Sequence, residues 1–149
     1  MMAAQSGRTT VEAEIRALID DQARAIRARD IDGSVASYAP GVLLFDVVNP
    51  LQCVGSEAAR KRLAGWFSSF QGPIGYQLRD LSITTGDDVA FAHSLKRVSA
   101  TMTDGRKLDM WWRATVCYRK IDGKWSVTHE HASVPFDAAS GQAALDLKP

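Results

Sequence analysis

Five side chains in the 149-residue sequence have the types and spacing to do acid–base chemistry: Asp46, His93, Arg113, His129 and His131. Asp46 interrupts the apolar run Val42 to Val48. A carboxylate surrounded by apolar side chains is a stronger base than one in water and could abstract a proton, or it could simply be the buried partner of Arg113. His93 and His129, with Arg113, would polarise or protonate a carbonyl oxygen, because imidazole is the side chain that exchanges protons near neutral pH. His129 and His131 alternate on one run, so both rings can share a face, as a zinc site requires. His93 would lie two strands away, about 9.5 Å at ordinary strand spacing. The expectation is therefore no metal and no cofactor.

The elements that must position these residues follow from periodicity. Thr9 with Glu12 forms a capping box, and Val11, Ile15, Leu18, Gln22 and Ile26 then recur at helical spacing, which predicts an amphipathic helix to about Arg29. Asp30 caps a short second helix through Tyr38, before Pro40 forces Ala39 out of helical geometry. Gly55-Ser56 opens a third, whose Ala59, Leu63, Trp66, Phe67 and Phe70 make one apolar face. Strands are predicted at 42–48, 51–54, 76–84, 89–101, 107–119 and 125–135, with Asp104-Gly105 and Asp122-Gly123 as hairpin turns. The order ααββα followed by ββββ describes an α+β domain with helices packed on one face of a curved, mostly antiparallel sheet.

The hairpin turns decide which residues share a face. Three-residue loops, the preferred register, oppose Met102 to Arg106 and Lys120 to Lys124; two-residue loops shift each pairing by one. The three-residue register gives the rows Phe91–Cys117–Val127, His93–Thr115–His129, Leu95–Arg113–His131 and Arg97–Trp111–Ser133. In either register, if both turns are alike, the three histidines share one face. Because Phe91, Leu95, Trp125 and Val127 belong to it and need burial, that face is expected to be the helix-covered one. Gln22, Tyr38, Trp66, Trp111, Arg113, Thr115 and His131 would then line an interior around Asp46, His93 and His129. So many inward polar groups require either a hydrogen-bonded network or a wet pocket, and apolar walls with a few convergent polar groups favour the pocket. The opposite face would carry Met110, Trp112, Ala114, Val116, Tyr118 and Val134, an apolar set that suggests a homodimer through the outer sheet face.

The sequence resembles the nuclear transport factor 2-like superfamily, which includes ketosteroid isomerase and the SnoaL-like polyketide cyclases. The resemblance rests on Asp30-Ile31-Asp32-Gly33, Tyr38-Ala39-Pro40, Phe45-Asp46, Trp111-Trp112-Arg113-Ala114-Thr115, and Asp122-Gly123-Lys124-Trp125 leading to His129-Glu130-His131-Ala132-Ser133. It covers about Val11 to Asp137 and implies a cone-shaped, cystatin-like fold with three N-terminal helices on a six-stranded sheet. It further implies that Asp46 falls at the isomerase's proton-abstracting aspartate, Gln22 at its oxyanion-hole tyrosine and Thr115 at its second, protonated acid. Trp-x-Arg-x-Thr followed by Trp-x-Val-x-His-x-His is most similar to the SnoaL-like group. The implied function is binding of a small apolar or carbonyl-containing ligand, with an isomerase, cyclase or lyase reaction using Asp46 as base. The alternative is a non-catalytic ligand-binding or dimeric assembly domain.

Composition agrees with one domain, placed at 9–137 between terminal arms at 1–8 and 138–149. Eighteen Lys plus Arg against seventeen Asp plus Glu leave a net charge of +1, too little to favour nucleic acid or an acidic membrane. No window has the length of apolar sequence that a membrane helix needs. Cys53 and Cys117 form no metal-spaced pair, so a reduced, cytoplasmic protein is expected.

Overall fold

A computed structural model describes residues 2–149. Helix α1 spans Met2–Arg27. It starts at Met2 and not at Thr9, so the Thr9–Glu12 pattern does not open the helix; the Thr9 side chain lies outside the described residues. Its apolar stripe buries Ile15, Ala23 and Ile26, with Val11, Leu18 and Ile19 packed beside them. Asp30 caps α2 (Ile31–Val35) by accepting the Gly33 N–H at 3.0 Å. Gly33 is needed there: a Cβ would stand 2.9 Å from the Cβ of Ala25, so only glycine lets α2 close onto α1.

Tyr38, expected at the end of that helix, instead begins β1 (Tyr38–Phe45). Pro40 demands an extended residue before it, and the chain is already extended two residues earlier. β2 (Cys53–Val54) and α3 (Ser56–Ser68) follow in the expected order, so of the three helices that the resemblance implies at the N-terminus only α1 and α2 precede the sheet. Then come β3 (Phe70–Thr85), β4 (Val89–Met102), β5 (Lys107–Ile121) and β6 (Lys124–Ser133). The six strands form one sheet in the order β2-β1-β6-β5-β4-β3, antiparallel throughout except for β1 beside β6. The long helix and α3 cover one face of it, giving an α+β architecture.

The two hairpins differ, and the difference controls the faces. β4 and β5 join through a three-residue loop: the Met102 N–H donates to the Arg106 carbonyl at 2.7 Å, and Gly105 sits at φ 88°. This gives His93 opposite Thr115 and Leu95 opposite Arg113, the expected register. β5 and β6 join through a two-residue loop instead, with Ile121 opposite Lys124 and both Asp122 and Gly123 at positive φ. That is the turn whose twist suits a two-residue hairpin. Tyr118 therefore opposes Val127, but Cys117 opposes His129, leaving Thr128 as the extra residue of a bulge. Beyond the bulge Thr115 opposes His131 and Val116 opposes Glu130.

His93, His129 and His131 do share a face, but it is the face away from the helices. Along β4 the buried residues are Ala90, Ala92, Ser94, Lys96 and Val98, while Phe91 is 43% exposed and His93 is exposed. On β5 the buried residues are Ala114, Val116 and Tyr118, and on β6 Trp125 and Val127. The expected assignment inverts because Trp125 and Val127 pair with Lys120 and Tyr118, not with the Phe91 row. Small residues on β4 also leave the depth that α1 and the inward rings of β5 and β6 fill. Consequently Ala114, Val116 and Tyr118, expected outside as a dimer surface, are core, and Met110 and Trp112 pack against the core. Cys53 is buried, Cys117 half-buried, and both are free. Among the described residues no helix is long and apolar enough to cross a membrane.

Candidate functional site

Between the sheet and α3 lies a cavity of about 470 Å³. Its walls are apolar: Leu63 and Trp66 from α3, Leu108, Met110 and Trp112 from β5, Leu44 from β1 and Val98 from β4. Trp66 is fixed by its neighbours, stacked on Phe67 at 5.8 Å and edge-on to Phe70 at 5.2 Å between ring centroids. Tyr76 of β3 stands 6.1 Å from the Trp112 ring. Polar groups gather at two places, one deep and one at the mouth.

The deep group centres on Glu130. Its Oε1 lies 2.8 Å from Lys96 Nζ, and its Oε2 accepts the Tyr38 hydroxyl at 3.3 Å. Gln22 donates through Nε2 to the Ser34 carbonyl at 3.0 Å and to the Tyr38 oxygen at 3.4 Å, tying α1, α2 and β1 together at this point. The Lys96 side chain is 6% exposed and that of Glu130 15%. Burial works against the Lys96 ammonium, yet the attraction of Glu130, with Tyr76 and Tyr38 close by, outweighs it and raises Lys96 above the ordinary lysine value. Burial raises Tyr38 well above the usual tyrosine value, and the Glu130 carboxylate raises it further. Tyr76 and Tyr118 are raised by the same burial, the Lys96 charge opposing it in both.

At the mouth, just past the end of β1, Asp46 pairs with Arg62 of α3. Its other oxygen accepts the Val47 N–H at 2.6 Å, and Arg62 also donates to the Asn49 carbonyl at 3.1 Å. Asp46 is 38% exposed, so it is neither deeply buried nor the partner of Arg113.

The cavity thus brings together four of the residues singled out from sequence: Gln22, Tyr38, Trp66 and Asp46. The other six lie on the outer face. Arg113 donates to Ser133 Oγ at 3.1 Å and is exposed, as are Thr115, His93 and His131. His129 Nδ1 is 2.7 Å from the Leu43 carbonyl, and Phe45 meets the His129 and His131 rings edge-on at 4.8 and 5.4 Å. Trp111 lies under the Arg97 guanidinium, which is 5.8 Å from its ring centroid. His93, His129, Arg113 and Thr115 therefore do not polarise a group in the cavity.

Sequence reasoning missed Lys96, Glu130, Arg62, Tyr76 and Trp112. A usable signal existed for two of them. Asp-Gly suits a two-residue turn, the form taken at Asp122-Gly123 though not at Asp104-Gly105, and that turn puts Trp125 and Val127 inside with Tyr118, which brings Trp112 and Lys96 to the covered face. No sequence feature marks the Thr128 bulge, and without it His129 would point inward and Glu130 outward.

The family model described as a SnoaL-like domain matches residues 15–137. Among solved structures, an NTF2-like protein of unknown function from Pseudomonas putida KT2440 is 38% identical, with a TM-score of 0.86 over 95% of this chain and 98% of that one. A ketosteroid isomerase-like protein from Erwinia carotovora atroseptica shares the fold at 21% identity and a TM-score of 0.69, covering 81% and 93% of the two chains. A Caulobacter vibrioides protein with a cystatin-like fold does so at 17% and 0.72, covering 87% and 92%. No curated protein matches the chain. With the matching model spanning most of the sequence and the Pseudomonas protein nearly all of it, the chain belongs to the SnoaL-like domain family of the NTF2-like superfamily.

Proposed function

We propose that the chain binds a small, mainly apolar compound in the cavity between its sheet and α3. The observation that carries this reading is the distribution of polarity: apolar walls including Trp66, Trp112 and Met110, with polar side chains confined to the deep end and the mouth. Such a cavity holds a ligand by burial of its hydrocarbon and orients it by a few hydrogen bonds.

The four tryptophans make a natural test. Trp66 and Trp112 line the cavity, Trp125 is in the core and Trp111 is on the outer face. Titration of ¹⁵N-labelled protein with 2-naphthol should move the indole N–H signals of Trp66 and Trp112 and leave that of Trp111 in place. Movement of Trp111 alone would place binding on the outer face and overturn the reading.

A second reading adds chemistry. Asp46 lines the cavity and has its carboxylate at the mouth with Arg62 beside it, so it acts as general base on a carbonyl compound while the guanidinium stabilises the developing oxyanion. Its test is hydrogen–deuterium exchange at the α-carbon of 2-tetralone in heavy water. Wild-type protein should accelerate the exchange and Asp46→Asn should not; equal rates would remove Asp46 from any such reaction. A pairing of two copies through the outer sheet face would use Phe91, Leu95 and Trp111 as its apolar surface. Sedimentation tests it: an Arg substitution at Phe91 should leave only monomer.

A further inference from the structure

Resting on the reading of the cavity as a ligand site, we propose that its deep end selects a neutral hydroxyl-bearing compound, an alcohol or phenol, whose O–H donates to the Glu130 carboxylate. Glu130 is a cavity-lining side chain with two partners, Lys96 at Oε1 and Tyr38 at Oε2. An ionised carboxylate offers about four lone-pair sites, so two such contacts leave acceptor capacity toward the cavity. Two of the donors beside it are engaged. Tyr38 gives its proton to Glu130, and Gln22 directs its amide nitrogen to the Ser34 carbonyl and the Tyr38 oxygen. A bare carbonyl oxygen placed against Glu130 meets an acceptor, whereas a hydroxyl there can donate to it.

Charge narrows the class further. Lys96 neutralises Glu130, and both side chains are largely shielded from bulk water. A ligand carboxylate would face Glu130 across an apolar cavity, and a ligand ammonium would bring in a charge with no counterion left to balance it. A neutral hydroxyl has neither cost and forms a short, charge-assisted O–H···O⁻ bond, stronger than a bond between neutral groups. The hydrocarbon remainder then lies between Trp66, Trp112 and Met110.

The test is calorimetric titration with three probes of one ring system: 2-naphthol, 2-methoxynaphthalene and 2-acetonaphthone. The wild-type protein should bind 2-naphthol at least about tenfold more tightly than either of the others. In Lys96→Met/Glu130→Leu, which removes both charges together, the preference should shrink to about threefold or less. Equal or tighter binding of the ether or the ketone to wild-type protein overturns the hydroxyl inference and leaves the cavity reading standing. Binding of none of the three overturns both. The wild-type comparison needs no variant, so a folding failure in the double substitution does not affect it.

Discussion

Lys96 Nζ and Glu130 Oε1 are 2.8 Å apart beneath the helices, on strands β4 and β6 that are separated by β5. The Lys96 side chain is buried and that of Glu130 largely so, and each depends on the other for its charge. Removing one partner leaves a buried ion unmatched. Lys96→Met or Glu130→Leu alone should destabilise the fold by about 3–5 kcal/mol, whereas the double substitution should return to within about 1 kcal/mol of wild type or exceed it. Urea denaturation of the four proteins measures this, and additive losses in the double variant would show that the pair is not coupled.

Alkaline pH should act on the same region. Tyr38, Tyr76 and Tyr118 are all the tyrosines of the chain, and each holds its proton above the ordinary value of about 10. Lys96 does the same above about 10.5. A group whose folded value is raised contributes stability that is complete below its unfolded value and is lost as pH climbs through the folded one. These four groups should therefore leave stability unaffected up to about pH 10 and lower it progressively above. Tyrosinate absorbance should appear together with loss of circular dichroism. Tyrosinate forming at about pH 10 in a protein that is still folded would contradict the buried positions.

The inverted sheet face gives a contrast between adjacent residues. Ala92 is buried beneath the helices and Phe91 points outward. Ala92→Leu should overpack the interior and cost about 1–3 kcal/mol, while Phe91→Ala, measured at concentrations where the chain is unpaired, should cost less than about 1 kcal/mol despite the larger deletion. The opposite ranking in thermal melts would restore the face assignment suggested by bulk alone.

Arg29 offers a test of how α3 is anchored. Its guanidinium donates to the carbonyls of Phe67 at 3.0 Å and Phe70 at 3.1 Å, and also to that of Gly72, around the end of α3. Arg29→Met should cost about 1–3 kcal/mol and loosen the wall that carries Trp66, seen as faster amide exchange in α3. Unchanged exchange there would mean that packing alone holds the helix.

The fold was largely readable because its signals are local. Helical spacing in α1, the Asp30 cap and the two Asp-Gly turns each depend on a few neighbouring residues. The site was less readable because its geometry depends on one residue of register. The β5–β6 turn has two loop residues where three were expected, and Thr128 then adds one back. Together these send Glu130 inward and His129 outward, a choice that alternation alone cannot make. The Asp46–Arg62 pair was hidden for a different reason: its partners lie on a strand end and a helix whose relative placement only the tertiary structure supplies.

The most direct measurement is a crystal structure of the protein with 2-naphthol bound. The ring system should lie between Trp66 and Trp112 with its oxygen within hydrogen-bond distance of Glu130. A naphthol on the outer face against His93 or Trp111, with the cavity holding none, would contradict the account.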